Sequence, residues 1–241
     1  MIRKVLAGLL AVVMIVLGLT TPASAARSMT RIMALGDSVT AGVGQDYPSI
    51  GGYRADLDAM FRKGATPSGF NYRWVGPNET PNRPDLSHAG NGSWTIDQIY
   101  VNVTGWQKTY RPDVILLHIG TNNISRGESA TTVNKKLAKL LARIRKNQSQ
   151  VRVFVAKIID VSGRTTHSEQ LRNAIYSWGQ LYTTRSAGRR FYSVNMRSIG
   201  GESLYDHHHP NRFGYRLMAY QWYESLRAIL ASGSQWKAVS N

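Results

Sequence analysis

Two stretches, Asp113–Ile119 and Val151–Ile158, are apolar almost without a break and rich in Val, Ile and Leu. A strand with one wet face alternates apolar and polar residues. A run without that alternation needs cover on both faces, as the central strands of a parallel sheet have. Three shorter runs, Arg31–Leu35, Asn71–Val75 and Arg190–Val194, also read as strands. Helical patterns alternate with them. Tyr53–Lys63 carries Leu57, Met60 and Phe61 on one side, and Thr95–Tyr110 carries Ile96, Ile99, Val103 and Trp106. Ser129–Asn147 repeats apolar residues at Val133, Leu137, Leu140, Leu141 and Ile144, a helix stripe. Ser168–Ala187 and Gly214–Ala231 complete the set, and Pro112 separates the second helix from the third strand. Strands alternating with helices predict a doubly wound α/β sandwich with right-handed crossovers. In such folds ligands bind beyond the carboxyl ends of the strands.

The ends of the chain read differently. Arg3 and Lys4 precede an apolar run, Val5–Leu19, and Ala23-Ser24-Ala25 follows it. That is the order of a secretory signal peptide cleaved after Ala25. Its 15 apolar residues fall short of the roughly 20 that span a bilayer, so a retained anchor is the weaker reading and no stable membrane insertion is expected after cleavage. Residues 26–241 read as one domain, with a loose tail over 232–241. The expected location is extracellular. The absence of cysteine excludes disulfides, thiol nucleophiles and cysteine metal sites. The net charge is +16, or +14 once the first 25 residues are removed. Such a chain is drawn to anionic surfaces. Export argues against nucleic acid as the physiological partner and favours anionic polysaccharides, acidic wall polymers or phospholipid head groups. Lys135, Lys136, Lys139, Arg143 and Lys146 flank the apolar stripe of one helix, which is also what a plain solvated face looks like.

Three motifs follow strands or precede the last helix, so the predicted topology brings them to one sheet edge. Gly36-Asp37-Ser38 ends the first strand, Gly120-Thr121-Asn122-Asn123 ends the third, and Asp206-His207-His208-His209-Pro210 precedes the last helix. A serine hydroxyl becomes a nucleophile when a histidine takes its proton, and a carboxylate fixes that histidine's tautomer. Ser38, His209 and Asp206 supply those parts. Ser38 alone also reads as a helix cap, and three successive histidines also suggest a metal site. Neighbouring side chains of an extended run point to opposite faces, however, so no metal or other cofactor is expected. Asn122 can donate its amide to a developing oxyanion, worth about 3 kcal/mol of barrier, or can be an ordinary turn residue. Gly120 lets a ligand approach the backbone. The segment His88–Thr95 leads into a helix, and its flexible backbone can aim an N–H at the same oxyanion, although Ser93 also suits a helix cap.

These pieces together resemble the SGNH (GDSL-type) hydrolases, and within them the family 3 carbohydrate esterases, which include acetyl xylan esterases. The resemblance runs from Arg31 to about Ala228 through Arg31–Ser38, Gly51-Gly52-Tyr53-Arg54, Trp74-Val75-Gly76, Trp94–Ile99, Arg111–Val114, His118–Asn123 and Asp206–Tyr215. It implies a three-layer α/β/α fold on a five-stranded parallel, flavodoxin-like sheet and a metal-independent serine esterase with a shallow, open site. It implies Ser38 as nucleophile and backbone oxyanion donor, Asn122 as side-chain donor, His209 as base and Asp206 as its orienting acid. Two departures stand out. Ser93, preceded by Gly92, occupies the place where relatives commonly carry the oxyanion glycine, and Asn123 stands where Asp is usual. Tyr53, Trp74 and Trp94 are candidates to stack on sugar rings, with a core role the alternative for the two tryptophans. The expected activity is removal of O-acetyl groups from an acylated polysaccharide, neutral or anionic, such as xylan. The alternatives are a lipid or lysophospholipid esterase and a polysaccharide-binding module without catalysis.

Overall fold

The computed structural model describes residues 29–44, 50–63, 71–160 and 190–231. The leader expected over 1–25, the helix expected at Ser168–Ala187 and the tail expected over 232–241 lie outside them. In chain order the elements are β1 (Thr30–Gly36), α1 (Ser38–Ala41), α2 (Tyr53–Arg62), β2 (Tyr72–Trp74), β3 (Asn78–Thr80), β4 (Arg83–Gly90) and α3 (Ile96–Tyr110). Then come β5 (Val114–His118), α4 (Thr121–Ser125), α5 (Ala130–Asn147), β6 (Arg152–Lys157), β7 (Phe191–Asn195) and α6 (Arg212–Ala231). Among these residues no helix is long and apolar enough to cross a membrane.

The sheet runs β3-β4-β1-β5-β6-β7, with β2 also paired to β1. Among the described residues seven strands stand where five were expected, and the register explains the difference. β2 pairs with the first half of β1 (Thr30 with Tyr72, Ile32 with Trp74) and β4 with its end (Leu35 with Ala89, Gly36 with Gly90). Both pairings are parallel, so β2 and β4 lie end to end in one row. Between them the chain bulges out as an antiparallel hairpin in which β3 pairs with β4. The parallel core is therefore five rows with β1 beside the split row, the doubly wound order. The remaining pairs, β1–β5, β5–β6 and β6–β7, are all parallel.

Alternate residues of each strand face opposite layers. Met33, Leu35, Ile115, Leu117, Val153 and Val155 pack against α3 and α5. Ile32, Ala34, Val114, Leu116, Phe154 and Ala156 pack against α2 and α6. Every residue of β5 is buried, which is why its sequence shows no alternation. The stripe Val133, Leu137, Leu140, Leu141 and Ile144 of α5 is buried as its spacing predicts, each side chain contributing about 1.5–3 kcal/mol. On the other face Trp222 of α6 is fully buried against Tyr53, ring centroids 6.0 Å apart.

Candidate active site

The carboxyl ends of β4, β1 and β5 are level. Gly36 of β1 sits opposite Gly90 on one side and His118 on the other. Ser38, Ser93 and Asn122 each follow one of those residues by two to four positions. Register alone therefore gathers the serine and both oxyanion candidates at one edge.

Ser38 opens α1, a helix of four residues closed by Gly42 in the left-handed conformation (φ 95°). The first N–H groups of a helix have no helical partner and point at whatever lies before it. Asp37 caps this helix: its Oδ1 accepts from the Val39 N–H at 3.0 Å. Asp37 is completely buried and its Oδ2 has no partner among the described residues. Burial pushes its carboxyl up to about 7, against the two backbone hydrogen bonds that favour the charge. Close contact holds α1 in place. A Cβ on Gly36 would meet the His118 carbonyl oxygen at 2.1 Å, and one on Gly90 would meet the Ala41 nitrogen at 2.5 Å.

The base comes from a loop before α6. Leu204 and Pro210 form an antiparallel bridge, and the Tyr205 N–H donates to the His209 carbonyl at 2.8 Å. Inside this closed loop Asp206 Oδ1 accepts from the His208 and His209 N–H groups at 2.8 and 2.7 Å. Its Oδ2 lies 2.7 Å from His209 Nδ1, and His209 Nε2 lies 2.9 Å from Ser38 Oγ. An ionised carboxylate accepts only, so Nδ1 carries the proton and Nε2 is left to accept from the serine. Burial raises the Asp206 carboxyl and is the largest single influence on it. The hydrogen bonds from the His209 ring and the two backbone N–H groups together outweigh burial and hold it at about 2. Asp206 is therefore ionised across the neutral and mildly acidic range. Its side chain is 38% exposed, so the relay lies open to solvent on that side. One ligand atom each from Asp206, His208 and His209 lies within 4.8 Å of the others. Both ring nitrogens of His209 already face Asp206 and Ser38.

The oxyanion side is tied together across three elements. Asn122 Nδ2 donates to the Trp94 carbonyl at 2.9 Å, and Arg126 donates to the Ser93 carbonyl at 3.0 Å. The Trp94 N–H reaches the Asn91 carbonyl at 3.3 Å, closing a turn over Gly92 and Ser93. Ser93 has φ 60°, a left-handed conformation rare outside glycine. A Cβ on Gly92 would meet nothing within 4 Å. The position that demands glycine-like backbone is thus Ser93. The serine adopts that backbone at a cost of about 1–3 kcal/mol, held by the hydrogen bonds to its own and the next carbonyl.

Asn123 is buried and uses both ends of its amide. Its Oδ1 accepts from the Ile96 N–H at the start of α3 (3.1 Å), and its Nδ2 donates to Glu128 (2.9 Å). Glu128 in turn pairs with Lys136, which also reaches Asp97. An Asp at 123 would set two carboxylates against each other, so the asparagine fits this neighbourhood.

The aromatic candidates fare differently. Tyr53 is 0% exposed, because the first turn of α2 points it at Trp222, and its ring offers no face to a sugar. This corrects the expectation of a stacking residue. Trp74 is core, its Nε1 donating to Asp58 at 3.3 Å. Trp94 is half-buried and stacked on Trp106, with centroids 5.7 Å apart and planes 14° apart, so one of its faces is taken. The exposed residues beside the relay are others. Tyr205 is bonded through its backbone to His209, and the N–H of Val43 donates to the Ser38 carbonyl. A lone aromatic beside a polar loop has no sequence periodicity to mark it.

Arg54 is a second omission. It is fully buried and donates to the carbonyls of Thr40 and Ala41, the last turn of α1, at 3.2 Å each. It also donates to Thr80 Oγ1 at 2.7 Å and to the Leu86 carbonyl in the hairpin. Burial lowers it to about 10, still charged at neutral pH. Arg54 thereby fixes the nucleophile's helix to the split row. The signal was present: position 54 falls on the same helix stripe as Leu57 and Phe61.

A family model described as the GDSL-like Lipase/Acylhydrolase family matches residues 34–217. The chain is 28% identical over 238 residues to a multidomain esterase of Ruminococcus flavefaciens, spanning 86% of this chain and 30% of that protein's length. Among solved structures, a Clostridium thermocellum family 3 carbohydrate esterase superposes with a TM-score of 0.72 at 27% identity, covering 86% of this chain and all of that one. A carbohydrate esterase family 3 protein from Talaromyces cellulolyticus gives 0.71 at 25% identity, with the same coverage.

Proposed function

The chain belongs to the GDSL-like lipase/acylhydrolase family, and from that premise we propose that it is a secreted serine esterase that removes O-acetyl groups from a polysaccharide such as xylan. The observation that carries the reading is the continuous relay from Asp206 through His209 to Ser38, at 2.7 and 2.9 Å. Ser38 Oγ attacks the acyl carbon as His209 Nε2 takes its proton. The carbonyl oxygen becomes an oxyanion that accepts from the Ser38 N–H, the N–H at Ser93 or Gly92, and Asn122 Nδ2. When the intermediate collapses, His209 gives the proton to the departing sugar oxygen and an acyl-serine remains. Water then attacks that ester, again losing its proton to His209, and acetate and free Ser38 result. Proton transfer of this kind contributes about 10²–10⁴-fold, and each good oxyanion donor about 3 kcal/mol.

The polysaccharide substrate is supported by the likeness to family 3 carbohydrate esterases and by the exposure of Asp206 and of Tyr205, which suits a small acyl group on a large polymer. Secretion is supported by the Arg3–Ala25 pattern. A second reading has one observation in its favour: Val43 and Tyr205, bonded through their backbones to Ser38 and His209, are exposed, as a lipid esterase would want. Hydrolysis of p-nitrophenyl esters from acetate to laurate separates the two. Acetate should be preferred, and Ser38→Ala should lose at least about 10³-fold in kcat while folding normally. A preference for long chains moves the substrate to lipids, and retained activity in Ser38→Ala overturns the mechanism.

A further inference from the structure

The basic face of α5 has not been given a role by the catalytic reading. Lys139, Arg143 and Lys146 project from it into a groove of about 670 Å³ between α3 and α5. A second basin of about 340 Å³ continues the groove past Lys108 and Arg111. The two share Thr104 and Asn147, so they lie side by side in the cleft between α3 and α5. It leads toward Arg31 and Gln148, at the amino ends of β1 and β6, away from the carboxyl edge that holds Ser38. No residue lining either basin is Asp or Glu. Among the described residues Lys108, Lys139 and Lys146 make no ion pair. Arg143 lies over the Tyr100 ring at 3.5 Å and donates to the Tyr100 carbonyl, and neither contact neutralises it.

The floor is rigid and polar. Asn147 Nδ2 donates to Thr104 Oγ1 at 3.0 Å and to Gln107 Oε1 at 2.9 Å. Gln107 is buried and donates to the Ile144 carbonyl at 3.0 Å, bracing α3 against α5. The groove thus combines the charges of Lys108, Lys139, Lys146 and Arg143, which no acid among the described residues pairs, with fixed amide and hydroxyl groups, while Arg31 at its far end is paired with Asp113. We propose that it is a second binding site, remote from the relay, for an anionic polysaccharide carrying about one carboxylate per sugar, such as a uronate chain. This rests on the reading of the protein as a polysaccharide esterase.

Three features select that occupant. Positions 139, 143 and 146 span about 10 Å along the helix axis, or about 5 Å per charge, comparable to one charge per sugar ring. Double-stranded DNA carries one charge per about 1.7 Å, far denser than this row. Single-stranded nucleic acid wants free aromatic faces to stack on, and the groove's Tyr100 is already covered by Arg143. A membrane surface is flat and does not reach the amide floor, whereas a sugar chain offers hydroxyls to it. Binding there holds the enzyme on an acidic polysaccharide beside the acetylated one on which the open site works.

The test measures binding of polygalacturonate, of phosphatidylglycerol vesicles and of p-nitrophenyl acetate turnover in the same preparations. One variant carries Lys108→Gln, Lys139→Gln and Lys146→Gln. A control removes the same charge outside the groove, at Lys63, Arg197 and Arg216. The groove variant should bind polygalacturonate roughly tenfold or more weakly in low salt, the control less than about threefold, and both should turn over the small ester like the parent. Equal loss in both variants overturns the site in favour of bulk charge. Tighter binding to vesicles than to polygalacturonate overturns the choice of occupant. Loss of ester turnover in the parent itself strikes the esterase reading and leaves the binding result to stand alone.

Discussion

Asn122 has two amide hydrogens, and the structure spends one of them on the Trp94 carbonyl. Among the described residues nothing takes the other. That arrangement aims the free hydrogen without the cost of ordering it during the reaction. Asn122→Ala should lower kcat by about 10²–10³-fold with KM little changed, measured on p-nitrophenyl acetate. Asn123, one residue on, is structural. Asn123→Asp should lower stability by about 1–3 kcal/mol, because its new carboxylate meets Glu128 across a contact now 2.9 Å long. Adding Glu128→Gln should recover part of that loss, and urea unfolding of the four species gives the coupling. The relay residues were legible because their chemistry is specific: few roles suit a serine, a histidine and an aspartate at converging strand ends. Tyr53 was misread for the opposite reason. A tyrosine beside two glycines looks available, and only the packing of α2 on α6 shows that it is core.

Among the elements, α1 is the shortest helix carrying the largest duty. It cannot be stable alone, since isolated helices need many turns. Its order comes from Asp37 at its start, Arg54 at its end and the close glycines on either side. Asp37 makes that order depend on pH. Its folded pKa of about 7 lies above the ordinary value of 3.8, so the folded state holds a proton that the unfolded chain releases. Stability from this group is complete below about pH 4 and is lost as pH rises toward about 7. Asp37→Asn keeps the Oδ1 acceptor and cannot ionise. The Tm of the parent should therefore fall relative to the variant between those two pH values and run parallel to it above. Helices α2, α3, α5 and α6 and the three inner strands were legible from periodicity, whereas the short α1 and α4 were not. β4 was not, since Arg83-Pro84-Asp85-Leu86-Ser87-His88-Ala89-Gly90 has neither alternation nor an apolar run. It is a strand because Ala89 and Gly90 are small enough to lie between β1 and α1, and smallness carries no strand signal.

For the whole molecule the governing quantity is the net charge of +16. Long-range fields steer charged partners and leave neutral ones alone. Raising salt from about 50 to 500 mM shortens the screening length from above 10 Å to a few ångströms. It should lower kcat/KM on acetylated glucuronoxylan severalfold and leave p-nitrophenyl acetate unaffected; equal behaviour of the two would remove the field from the account of substrate capture.

The nucleophile and its base are 171 residues apart in sequence. Closing that contact requires β1, every parallel row laid beside it and the docking of α6. As the chain emerges from the ribosome, Ser38 is exposed early with nothing to activate it. The relay closes only once the loop carrying His209 is in place. Turnover should therefore report the docking of the His209 loop, and a chain cut before His209 should show none.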